Sequence, residues 1–176
     1  MKKILFVIVL IMFSSWLFCQ TRVNLGLLAS IPINDSNTIF DPGIGSDLSL
    51  NYYLNKYVSI NGSIEYLSNK VNNIDDKIRI TSFYTGLGLN YNITQKFQIR
   101  FNPNIGTSII KINDNTYNKM RIGSDFSIGY SLTKNIEIEP IIGVCYFVYD
   151  KPFDNDFLDT VKTGLRIGYN FWGCTR

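Results

Sequence analysis

Four tyrosines recur at one fixed interval: Tyr52, Tyr91, Tyr130 and Tyr169 are each 39 residues apart. They sit in four related stretches, "LSLNYYL" (48–54), "LGLNYNI" (87–93), "FSIGYSL" (126–132) and "LRIGYNF" (165–171). A repeat of this length holds two extended strands, one tight turn and one longer connection, so four copies predict eight strands. Each stretch alternates large apolar residues with small or polar ones, the two-residue period of a strand with unlike faces.

The rest of the chain follows the same rhythm. Strands are expected at 22–31, 44–54, 57–67, 78–93, 97–110, 120–132, 136–149 and 157–171. Short connections fall at Asn55-Lys56, Thr94-Gln95-Lys96 and Thr133-Lys134-Asn135. Longer, polar ones fall at 32–43, 68–77, 111–119 and 150–156. Short turns at one end and long loops at the other describe a barrel that crosses a membrane, and a tilted strand needs only ~9–11 residues to do so.

Alternation alone does not say which face is wet, because a soluble lipocalin-like barrel with an apolar interior alternates equally well. The two faces decide it. One carries Leu25, Leu27, Leu48, Leu50, Ile60, Ile64, Phe83, Leu87, Leu89, Ile99, Phe101, Ile105, Phe126, Ile128, Ile142, Val144, Leu165 and Ile167. Eight strands enclose too little space for so many bulky groups. The other carries Gly26, Gly45, Ser49, Asn51, Ser59, Asn61, Ser63, Gly86, Gly88, Asn90, Gly106, Ser108, Gly123, Ser127, Gly129, Gly143, Gly164 and Gly168. A water-facing exterior favours long charged side chains, whereas a narrow filled lumen requires small ones. The apolar face is therefore expected to meet lipid.

Strand charges give an independent check. Arg22, Asp47, Glu65, Arg100, Arg121, Asp125, Glu137, Glu139, Lys162 and Arg166 all share the small-residue face. A basic side chain facing lipid at mid-depth costs ~2–4 kcal/mol, which accounts for their absence from the other face within the bilayer band. Inside, acids and bases can pair and fill the lumen. Tyr52, Tyr91, Tyr130 and Tyr169 fall on the outward face near the short-turn end, where an amphipathic ring suits a membrane boundary and would form part of an aromatic girdle. Pro103 and Pro140 fall inside expected strands and imply a bulge, a rim position or a shifted strand limit.

The leader "MKKILFVIVLIMFSSWLFCQ" has a basic start at Lys2 and Lys3, followed by a ten-residue apolar run from Ile4 to Phe13. That layout predicts a secretory signal peptide over 1–19 and a barrel domain over 20–176. Lipidation at Cys19 ranks below plain cleavage, because bulky Leu17 and Phe18 precede it. Cys145 and Cys174 are expected to be too far apart to bond, leaving free thiols. Of the net charge of +3, two units belong to the leader, so no concentrated basic face suggests nucleic-acid binding.

On these residues the chain resembles the small outer-membrane β-barrel family that includes the OmpA transmembrane domain and OmpX-like proteins. The last strand, "KTGLRIGYNF", resembles that family's C-terminal assembly signal through Lys162, Gly164, Ile167, Tyr169 and Phe171, although this chain runs on through "WGCTR". The resemblance implies an all-β, closed, antiparallel, eight-stranded transmembrane up-and-down barrel in the outer membrane of a diderm bacterium. It also implies outer-membrane lipid and the barrel-assembly machinery as partners, and a monomer.

The small outer-membrane enzymes of similar architecture use a histidine, and the chain has none. A serine nucleophile would lack its base, and His-based metal sites are excluded. Glu137 and Glu139 share one face and could in principle do acid–base work, but they fit buried ion pairs better. The expectation is a non-enzymatic surface barrel without cofactor. Its long loops would support the envelope or contact a host or environmental surface molecule. The alternative is a soluble exported lipocalin-like barrel binding a small apolar ligand.

Overall fold

The computed structural model describes residues 21–33, 40–71, 76–148 and 159–171. The proposed signal peptide, Cys19, Cys174 and the tail after Phe171 lie outside them. Eight strands run in chain order: β1 Thr21–Pro32, β2 Gly43–Tyr53, β3 Val58–Lys70, β4 Lys77–Asn92, β5 Phe97–Ile112, β6 Asn115–Ser131, β7 Ile136–Val148 and β8 Thr160–Asn170. Every neighbouring pair is antiparallel, and β8 closes on β1, so no sheet edge is left open.

The 39-residue repeat has a local cause at the short turns. Asn55 Oδ1 accepts from the N–H groups of Tyr57 and Val58 at 2.8 and 2.9 Å. Thr94 Oγ1 accepts from Lys96 and Phe97, each at 3.1 Å. Thr133 Oγ1 accepts from Asn135 and Ile136 at 3.2 and 3.0 Å. A short polar side chain that bonds its own backbone two and three residues on reverses the chain, and the same device appears at each of the three short turns.

The expected loop over 111–119 is a correction. Its residues extend β5 and β6 instead, with Ile112 opposite Asn115 across a two-residue turn at Asn113 and Asp114. Asn113 has φ of 53°, a left-handed conformation that asparagine tolerates better than most residues. Polar composition masked a strand pair that stands above the apolar belt.

Neither proline makes a bulge. In the β4–β5 ladder, Gly86 pairs with Asn104 and Leu89 with Phe101, so the register is the same on both sides of Pro103 while the two positions between are unpaired. Pro140 leaves a similar gap between Ser127–Ile141 and Tyr130–Ile138. Each proline lacks one N–H, loses bonding on that side and still aligns with its other neighbour: Pro103 with Ser124, and Pro140 with Leu165.

Candidate functional site

The chain's chemistry is concentrated in the barrel interior. The outward face exposes Leu25, Leu27, Leu87, Tyr91 and Ile167 at 65, 75, 54, 65 and 58%, whereas the charged strand residues are buried. Asp47, Glu65, Arg100, Arg121, Asp125, Glu137, Glu139, Lys162 and Arg166 all lie inside, together with Arg22.

They form a continuous column. Nearest the short turns, Arg22 Nη1 is 2.5 Å from Glu137, and its Nη2 reaches Glu139. Arg100 bridges the same two carboxylates at 2.6 and 2.7 Å, and Ser127 donates to Glu139 at 2.6 Å. Arg166 Nε lies 2.6 Å from Asp47. Further along, Lys162 holds Glu65 at 2.6 Å and Asp125 at 2.9 Å. Arg121 stacks 3.7 Å over the ring of Tyr84 and donates through Nε to Cys145 Sγ at 2.8 Å. The five acids and five bases balance, so each buried charge has an opposite neighbour.

Glycines on the flanking strands make this column possible. A Cβ at Gly26 would run into Asp47 and come within 2.8 Å of Arg166. One at Gly143 would strike Asp125 and lie 2.8 Å from Lys162, and one at Gly168 would meet Arg22 and Asn24. Gly26 and Gly143 yield their volume to charged residues directly across from them, Gly26 to Asp47 and Arg166 and Gly143 to Asp125 and Lys162, while Gly168 yields to Arg22 two positions from its partner Asn24. Large and small inward positions alternate to fill a narrow barrel.

The interior is not small and polar throughout. Towards the long-loop end Leu67, Ile78, Ile80, Ile110 and Phe147 form an apolar plug, which Leu28, Ile141 and Cys145 continue inwards. Sequence reasoning missed it because Ile78, Ile80 and Ile110 lie beside polar loop sequence. The signal was present: the parity of Glu65 and Ser82 carries directly to Leu67 and Ile80.

The proposed girdle tyrosines lie near the short turns. Tyr91 and Tyr169 are exposed, Tyr52 and Tyr130 half-buried. Phe97 packs against Tyr130 with tilted rings 4.9 Å apart, and Phe171 packs edge-on against Tyr169 at 5.2 Å. Of the residues resembling an assembly signal, Lys162 is committed to the interior column. Gly164 abuts Leu27 and Leu28, while Ile167 and Tyr169 face outwards.

An apolar exterior around a closed ring with an ionic interior defines a transmembrane β-barrel. Residues 13–171 match the family described as outer membrane protein beta-barrel domain, and the chain belongs to that family. It is a bacterial outer-membrane protein. Among solved structures it is similar to Neisserial surface protein A (9% identity, TM-score 0.66, covering 86% of this chain and 97% of that one). It is also similar to Ail of Yersinia pestis (13%, 0.54, 85% and 96%) and OprG of Pseudomonas aeruginosa (11%, 0.55, 87% and 96%). These likenesses establish the fold alone. No curated protein matches the chain by sequence.

Proposed function

We propose that this protein is a non-enzymatic, monomeric outer-membrane barrel with a closed lumen, which supports the envelope and presents its long-loop rim to surface molecules. The buried ion-pair column carries this reading. Arg22, Arg100, Arg121, Lys162 and Arg166 are all engaged by carboxylates within the barrel, and an apolar plug lies beyond them. An eight-stranded barrel filled in this way favours rigidity over transport. The same reading assigns 1–19 as a cleaved signal peptide, the four repeat tyrosines as interfacial anchors and the last strand as the segment recognised during assembly.

Ail of Yersinia pestis has been solved with the heparin analogue sucrose octasulfate, which makes a polyanionic glycan a reasonable first surface ligand to try here. Planar-bilayer recording tests the closed lumen. The wild type should give no conductance steps under conditions in which an open porin conducts, and regular steps would overturn the reading. Adhesion of cells expressing the protein to immobilised glycans, compared with cells whose protein carries a shortened 150–156 connection, tests the surface role.

A further inference from the structure

We propose that the outer face of β3–β5 binds a phosphorylated amphiphile of the surrounding leaflet, with its phosphates on Lys70, Lys77, Arg79 and Lys111 and an acyl chain in the groove below. Throughout the described strands, these four are the charged residues on the outward face. All are basic, all lie at the long-loop end, and all are on three adjacent strands. Their register places like charges face to face: Lys70 opposite Lys77, and Arg79 opposite Lys111. Directly opposed like charges destabilise a sheet, so the arrangement calls for an anion from outside. Among the described residues, no ion pair includes any of the four.

Their height fits a headgroup. Arg79 and Tyr91 lie on one face of β4, roughly 30 Å apart along the barrel axis once strand rise and tilt are applied. With Tyr91 at one boundary, Arg79 is at the other. Below the cluster on the same strands, a shallow, apolar groove of about 390 Å³ is lined by Phe83, Thr85, Ile105 and Thr107. Phe83 and Thr107 are each four residues from a cluster member, about 10 Å nearer mid-membrane. A soluble polyanion would make no use of that groove, whereas an amphiphile engages both features. Basic residues at a membrane surface attract anionic headgroups, and Arg and Lys both bind phosphate well.

The inference rests on the membrane-barrel family and takes the interfacial place of Tyr91 and the choice of leaflet from the reading above. The test therefore uses symmetric vesicles and is independent of orientation. The chain from Thr21 onwards, with Trp172→Phe so that Tyr66→Trp is its sole tryptophan and reports beside the cluster, is folded into phosphatidylcholine vesicles containing diphosphoryl lipid A with a nitroxide-labelled headgroup. Quenching gives its preference for lipid A over phosphatidylcholine. A preference of about tenfold is expected, falling to about one in K70Q/K77Q/R79Q/K111Q. It should be retained in the short-turn control K56Q/K96Q/K134Q and in the charge-keeping K70R/K77R/K111R. Equal preference in the wild type and the four-Gln variant would overturn the proposal. So would displacement of lipid A by sucrose octasulfate with the same four-residue dependence, which would assign the cluster to a soluble polyanion.

Discussion

Lys162 Nζ lies 2.6 Å from Glu65 Oε2, a contact that spans the barrel interior from β8 to β3 across two intervening strands. It couples the closing strand to the far wall, and Lys162 also holds Asp125 on β6. Replacing Glu65 by Leu would strand Lys162 and Arg121 without a principal anion and should cost ~3–5 kcal/mol in vesicle-embedded unfolding. The double change Glu65→Leu with Lys162→Met should cost less than the sum of its parts by about 1–3 kcal/mol. Urea titration followed by gel mobility measures both.

The glycines opposite the charges should resist even one methyl group. Gly143→Ala pushes a Cβ into Asp125 and Lys162 and should destabilise by about 1–3 kcal/mol. Gly62 faces outwards with nothing within 4 Å of an added Cβ, so Gly62→Ala should stay within about 0.5 kcal/mol of the wild type. Gly88 belongs with Gly143. Its Cβ would meet Ser59 and lie 2.7 Å from Asn102, so that part of the lumen holds less room than a polar interior suggests.

Much of this architecture can be read from residue order alone. Leu87, Leu89 and Tyr91 announce the lipid face because period-two alternation survives whatever the strand packs against, and the charges from Arg22 to Arg166 keep to the other parity because lipid penalises them. The ends of the strands were harder to read. Residues 111–119 look like a loop because, above the bilayer, both faces of a strand pair meet water and the alternation fades. The pairing of each charge was also hidden: Arg22 meets Glu137 and Glu139 through the β1–β8 closure, which brings together residues from opposite ends of the chain.

The repeated short turns predict a modest, equivalent loss at each site. Thr94→Ala and Thr133→Ala each remove an acceptor for two backbone N–H groups and should cost about 1 kcal/mol. Thr133→Asn should be tolerated, because Asn55 fills that role in the first repeat. Unfolding midpoints in vesicles discriminate these outcomes.

Orientation is open to direct labelling. Phe171 N–H donates to the carbonyl of Thr21, so the described ends of the chain meet at the short-turn end. Single cysteines at Asp114 and Lys134, with Cys174 replaced and buried Cys145 retained, should react differently in intact cells. Asp114→Cys should label with an impermeant maleimide and Lys134→Cys should not; the reverse pattern would invert the barrel.

The central claim is that the apolar face of this barrel meets lipid, and folding of the chain from Thr21 onwards with and without phosphatidylcholine vesicles tests it most directly. The wild type should acquire a protease-resistant, heat-modifiable state only when vesicles are present. Leu87→Arg, which puts a guanidinium at mid-depth, should lose ~2–4 kcal/mol of that stability. A wild-type chain that folds stably in buffer alone and ignores vesicles would contradict the account and make this a soluble lipocalin-like barrel.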